Sequence, residues 1–171
     1  MRTQTPQRPW RLTKSAVVAA AVLMATPATW AQTNTFRMLC MTHGASWIEP
    51  VGDHERHGLQ DGQATCTVQG GPLDGATVTQ KVLWEYRSGV GTLHASHSVY
   101  RKPGAMAVGV SRQGTLNFQF TDGRVTGWSS QGSVAFPMVA GSAAPLANKT
   151  AQWTGQPTGP HTYIMEFTVE P

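Results

Sequence analysis

The chain has 171 residues, with thirteen Lys and Arg against nine Asp and Glu. Four of the basic residues, Arg2, Arg8, Arg11 and Lys14, precede residue 16 with no acid among them, so the remainder carries nine charges of each sign. The basic excess belongs to the N-terminus. The charge-balanced remainder lacks a Lys/Arg cluster, which argues against a nucleic-acid-binding or basic membrane-binding face.

Residues 16–25 form an unbroken apolar run, too short to span a bilayer and of the length of a signal-peptide core. Thr29 and Ala31 flank Trp30 and supply small residues for cleavage before Gln32. The expectation is a signal peptide over 1–31 and a single domain over 32–171, in a periplasmic or secreted protein. No cysteine follows the apolar run to take a lipid, and no Arg-Arg pair marks folded export. Removing residues 1–31 leaves 140, enough for one core and too few for two. Cys40 and Cys66, the only cysteines, read as a disulfide in an exported chain. Closing that loop stabilises the fold by roughly 3–4 kcal/mol on the chain-entropy estimate.

In chain order, residues 36–42 are apolar and suit an opening strand carrying Cys40. Residues 46–49 are ambiguous. Residues 50–62, with three glycines, one proline and four charged side chains, read as a long surface loop, the kind that often carries function. Residues 63–69 alternate, placing Ala64, Cys66 and Val68 on one face. A Gly-rich turn follows over 70–75. Then Val78, Val82, Trp84 and Tyr86 share a face interrupted only by Gln80. Residues 87–91 turn the chain. The next alternation puts Leu93, Ala95, His97 and Val99 together, and after the turn at 102–104 it puts Met106, Val108 and Val110 together.

The clearest element spans residues 114–136. Leu116, Phe118 and Phe120 alternate with polar residues, and Asp122-Gly123 tolerates the positive φ of a type I′ hairpin turn. A two-residue loop there predicts Phe120 opposite Val125, Phe118 opposite Gly127 and Leu116 opposite Ser129. Asn117, Gln119, Thr126 and Trp128 fall on the polar face. Val134, Phe136 and Met138 continue, with Pro137 marking an edge or a strand end. Residues 140–148 are loop, 152–154 a short strand. His161, Tyr163, Met165, Phe167 and Val169 line one face of a closing strand, whose natural partner is the first strand. That pairing removes both free edges. The sum is an all-β protein: a single antiparallel barrel of roughly eight or nine short strands that bury one face each.

The Thr-Asp-Gly-Arg-Val-Thr-Gly-Trp hairpin, the Ser-Gln-Gly-Ser-Val-Ala-Phe strand and the closing Tyr-Ile-Met-Glu-Phe strand resemble secreted bacterial barrels of the allene-oxide-cyclase-like or broader calycin kind. The resemblance covers roughly the last hundred residues and rests on strand pattern. It implies an eight-stranded barrel, often holding a small apolar molecule, and in some members a cyclase or isomerase. No catalytic residue of that group matches a position here.

Three functional readings follow. Trp84, Tyr86, Phe118 and Phe120, with His97, suit the wall of a pocket for a small apolar or amphipathic ligand, and the same side chains suit a filled core, as in an accessory protein without turnover. A cyclase or isomerase would draw its acid and base from His97, Tyr86 and Glu85. A metal site would use Asp53, His54 and His57, joined by His43, since a loop can fold two histidines three residues apart around one ion. That stretch misses the His-Glu-x-x-His spacing by one residue and lacks the helix it needs. His94 and His97 share the three-residue spacing, yet on a strand they face opposite ways. No Gly-x-Ser-x-Gly elbow surrounds a serine, and no helix follows the glycine turns to cradle phosphate. Neither a catalytic constellation nor a cofactor follows from the residues.

Overall fold

The computed structural model describes residues 34–43, 48–52 and 57–171. The expected signal peptide, 1–31, lies outside them, as do Trp47, Asp53 and His54. The described residues form nine strands: β1 (Thr35–Thr42), β2 (Glu49–Pro50), β3 (His57–Gln69), β4 (Thr77–Arg87), β5 (Val90–Lys102), β6 (Ala105–Thr121), β7 (Arg124–Gly141), β8 (Thr150–Gly159) and β9 (Thr162–Val169). From β3 to β9 each strand pairs antiparallel with the next, β9 pairs with β1, and β1 pairs with β3. Eight strands thereby close into a barrel, and β2 lies outside it against β3. Among the described residues no helix is long and apolar enough to cross a membrane.

Alternation drives the closure. Phe36, Met38 and Cys40 of β1 point inward, as do Met165, Phe167 and Val169 of β9, and Phe36 meets Phe167 and Met38 meets Met165 across the pair. The closing strand therefore finds the first strand, as its pattern predicts. Cys40 stands directly opposite Cys66, and the two form a disulfide across the β1–β3 seam, a contact only six residue pairs long.

Three bulges shift the predicted faces. The hairpin turn is as expected, with Asp122 at φ 51° and Gly123 at φ 77°, and Phe120 lies opposite Val125. The ladder then slips one residue at Thr126, whose hydroxyl bonds Gln119 O. Phe118 consequently meets Trp128 rather than Gly127, and Leu116 meets Ser130 rather than Ser129. In β5, His94 is the extra residue between Leu93, opposite Trp84, and Ala95, opposite Leu83. Beyond it the alternation inverts: Ser96, Ser98 and Tyr100 face inward, and His97 faces outward and exposed. A third bulge at Phe136-Pro137 keeps Val134 and Phe136 inside but turns Met138 out, 56% exposed. Pro137 thus occupies a bulge within β7 rather than an edge or strand end. In β6 the inward row is Ala107, Gly109 and Ser111, so Met106, Val108 and Val110 line the outer wall.

The expected loop at 50–62 is half strand, because β3 begins at His57 and pairs with β4 from there onward. Its polar composition reflects a wall with solvent outside and Gln60 inside, lining the cavity described below.

One end of the barrel is sealed. Phe36 stacks on Phe167 with ring centres 4.5 Å apart, and Tyr100 and Phe136 pack against the pair. Leu73 and Ala76 from the β3–β4 turn, with Ala143 and Leu146 around the 3-10 turn Ala144–Leu146, are fully buried beneath them. The opposite end carries the β4–β5, β6–β7 and β8–β9 turns.

Candidate functional site

Above the aromatic floor the barrel holds a cavity of about 490 Å³. That volume falls within the roughly 300–1,000 Å³ of ordinary ligand pockets. The space arises from unequal side chains facing one another. On one wall β5 and β6 present Ser96, Ser98, Gly109 and Ser111, whose register sets Ser98 beside Gly109 and Ser96 beside Ser111. From the other strands come Trp84 and Tyr86 of β4, Phe118 of β6, Trp128 of β7, Trp153 of β8 and Tyr163 of β9. Small hydroxyls beside large rings leave a hollow that side chains fill in an ordinary small barrel.

Local sequence explains the placement of the largest ring. A β-carbon at Gly132 would lie 2.4 Å from the Trp153 ring and equally close to Gln113 O. Only glycine leaves room there for the indole to lie across β7. The rings are also mutually braced. Tyr86 packs on Phe118 at 5.2 Å between centres, and Trp128 meets Tyr163 edge-on at 5.8 Å.

Two tyrosines inside are paired with amides: Tyr163 donates its hydroxyl to Gln80 Oε1 at 2.8 Å, and Tyr86 donates to Gln60 Oε1. Among the described residues the Tyr100 hydroxyl and the Trp153 indole N–H, both on cavity-lining residues, are buried with no hydrogen-bond partner. Burial pushes the phenols of Tyr86, Tyr100 and Tyr163 well above the ordinary tyrosine value, so all three stay protonated as donors at neutral pH. Ser98 pulls the Tyr100 phenol slightly the other way without reaching hydrogen-bond geometry, which leaves the hydroxyl unsatisfied.

Of the pocket residues expected from sequence, the fold brings Trp84, Tyr86 and Phe118 to the cavity. Phe120 stands beyond the rim, 55% exposed and edge-on to Phe118 at 6.3 Å. His97 is on the outer wall, for the bulge at His94 reverses its face. Of the acid–base trio only Tyr86 reaches the interior, and neither His97 nor Glu85 lines it. The cavity side chains that sequence reasoning missed are Trp128, Trp153, Tyr163 and the four serines Ser96, Ser98, Ser111 and Ser130. Gln80 was the available signal: one amide in an apolar row marks an interior with polar work to do.

Asp53 and His54 lie outside the described residues. His57 is engaged on the outer wall, where its Nε2 and that of His94 each lie 2.7 Å from the Glu85 carboxylate, with Arg87 at 2.8 Å. His94 first, then His57 and Arg87, hold the Glu85 carboxyl down to about 2. His43 bonds the Thr65 hydroxyl at 2.6 Å. Among the described residues no three His, Cys, Asp or Glu side chains are gathered to hold a metal ion. Comparison of the chain with protein-family models, with curated proteins and with solved structures finds no match.

Proposed function

We propose that this protein is an exported binding protein that takes up a small apolar or amphipathic molecule inside its barrel. The observation that carries the reading is the cavity of about 490 Å³, walled by aromatic rings over a sealed floor. A binding pocket is mostly apolar with a few placed polar groups, and this interior has that make-up. The Cys40–Cys66 disulfide supports a periplasmic or extracellular setting, as does the basic-then-apolar N-terminal sequence. The eight-stranded closure is also the architecture that the calycin resemblance implies.

Uptake of Nile red tests the reading. Trp84, Trp128 and Trp153 line the cavity, so binding quenches or shifts their emission while the dye brightens in the apolar interior. A saturable, stoichiometric signal is expected from the folded protein. Dye that stays dark at protein concentrations well above those used for known binding barrels overturns the reading.

A further inference from the structure

We propose that the cavity selects an electrically neutral ligand whose polar end is a hydrogen-bond acceptor, such as a ketone, ester or amide carbonyl, and that this end enters first. The inference rests on the reading of the barrel as a binding protein and names the class of molecule it takes.

The first observation is the absence of charge. Among the described residues no Lys, Arg, Asp or Glu lines the cavity, and the one imidazole there, His161, sits in the β8–β9 turn away from the floor. A carboxylate, phosphate or ammonium group drawn inside loses its hydration and meets no opposite charge in return. Neutral molecules escape that penalty.

The second observation is which polar atoms lack partners. The amide oxygens of Gln80 and Gln60 already accept hydrogen bonds from Tyr163 and Tyr86. Among the described residues the two buried side-chain atoms without a partner, Tyr100 OH and Trp153 Nε1, can both donate. The indole N–H has nothing but donation to offer. A buried donor without an acceptor is costly, and a ligand that supplies the acceptor recovers that cost as affinity. The interior therefore asks for lone pairs rather than for protons.

The third observation gives the direction. Tyr100 lies opposite Val78 and Ala107 and packs on the floor rings Phe36 and Phe136. Trp153 stands opposite Phe167, the ring stacked on Phe36. Tyr100 thus belongs to the floor and the Trp153 indole lies above it across β7 at Gly132, while Tyr86, Phe118 and Trp128 form flat apolar walls farther from the floor. A molecule with a flat apolar body and a carbonyl at its tip matches both levels.

Three probes of one shape separate the terms: 2-acetonaphthone, its hydrocarbon counterpart 2-ethylnaphthalene, and 2-naphthoate, each competed against bound Nile red. The ketone is expected to displace the dye at a concentration about tenfold below either of the others, the ratio one recovered hydrogen bond provides. Tyr100→Phe is expected to shrink the ketone-to-hydrocarbon ratio several-fold. The same variant should melt no lower than the parent, because it deletes a hydroxyl that the unliganded fold leaves unpaired. Trp153→Phe serves as the second variant for the same ratio. A hydrocarbon that competes as well as the ketone, a naphthoate that competes better, or a ratio untouched by both substitutions overturns the acceptor rule while leaving ligand binding intact. Failure of the barrel to take up Nile red at all overturns both.

Discussion

Single side chains decide whether this barrel is hollow. Ser96 lies between Val82 and Ser111 on the inner wall, where most small barrels would place a branched aliphatic residue. Filling that point is the direct test of what the hollow is for. Ser96→Leu should abolish Nile red uptake, or weaken it more than tenfold, by occupying the space the dye needs. The fold should survive, because burying a leucine side chain contributes about 1.5–3 kcal/mol, enough to offset the overpacking strain of about 1–3 kcal/mol. Dye titration and a melting curve on the same preparation check it. Unchanged uptake in a variant of unchanged stability would mean that the dye sits elsewhere. The converse residue is Gly132, where the close approach of Trp153 leaves no room for a β-carbon, so the indole's position is as dependent on its neighbour as on itself.

At the level of elements, the outer wall carries a clip joining three strands. Glu85 of β4 receives His57 of β3 and His94 of β5, and Arg87 covers it from its own strand. The folded protein favours the ionised carboxylate, whose pKa is about 2 against the ordinary 4.5. Its stabilising contribution is therefore complete above pH 4.5 and is lost as pH falls towards 2. Melting temperatures measured across that window should drop less steeply in Glu85→Gln than in the parent, and parallel curves would show that the clip holds nothing. The same clip shows what the sequence could and could not convey. Strand identity, the Asp122-Gly123 turn and the pairing of first and last strands were legible, since period-two alternation and turn chemistry are local signals. Facing was not. His94 is the inserted residue that lets β5 reach Glu85, and a bulge leaves no mark in a string of alternating Thr, His, Ser and Ala. One unseen residue reversed His97, turned Ser96 and Ser98 to the cavity and removed the histidine from the acid–base reading.

For the molecule as a whole, the weak point of a closed barrel is the pair of strands that closes it. Here that pair is β1 and β3, joined over residues 37–42 and 64–69, whereas β3 runs alongside β4 for eleven residue pairs. The disulfide lies within the short seam, its two cysteines buried and facing the interior. Linking residues 26 apart in sequence restricts the unfolded chain by an amount worth roughly 3–4 kcal/mol. In the folded state it also forbids β1 and β9 from peeling off β3 together, which would open the wall beside Gln63 and Ala64 straight into the cavity. Replacing both cysteines, Cys40→Ser with Cys66→Ser, should lower the unfolding free energy by about that amount and speed amide exchange first along the β1–β3 seam. The β1–β9 ladder, left paired, should stay protected to a higher free energy. Denaturant melts and residue-resolved hydrogen exchange of the oxidised parent and the double variant measure both effects. Uniform loss of protection in every strand would mean that the seam is no weaker than the rest. Faster exchange confined to residues 37–42 and 64–69 would show a barrel whose ligand chamber stays shut because one covalent bond lies across the short ladder that closes it.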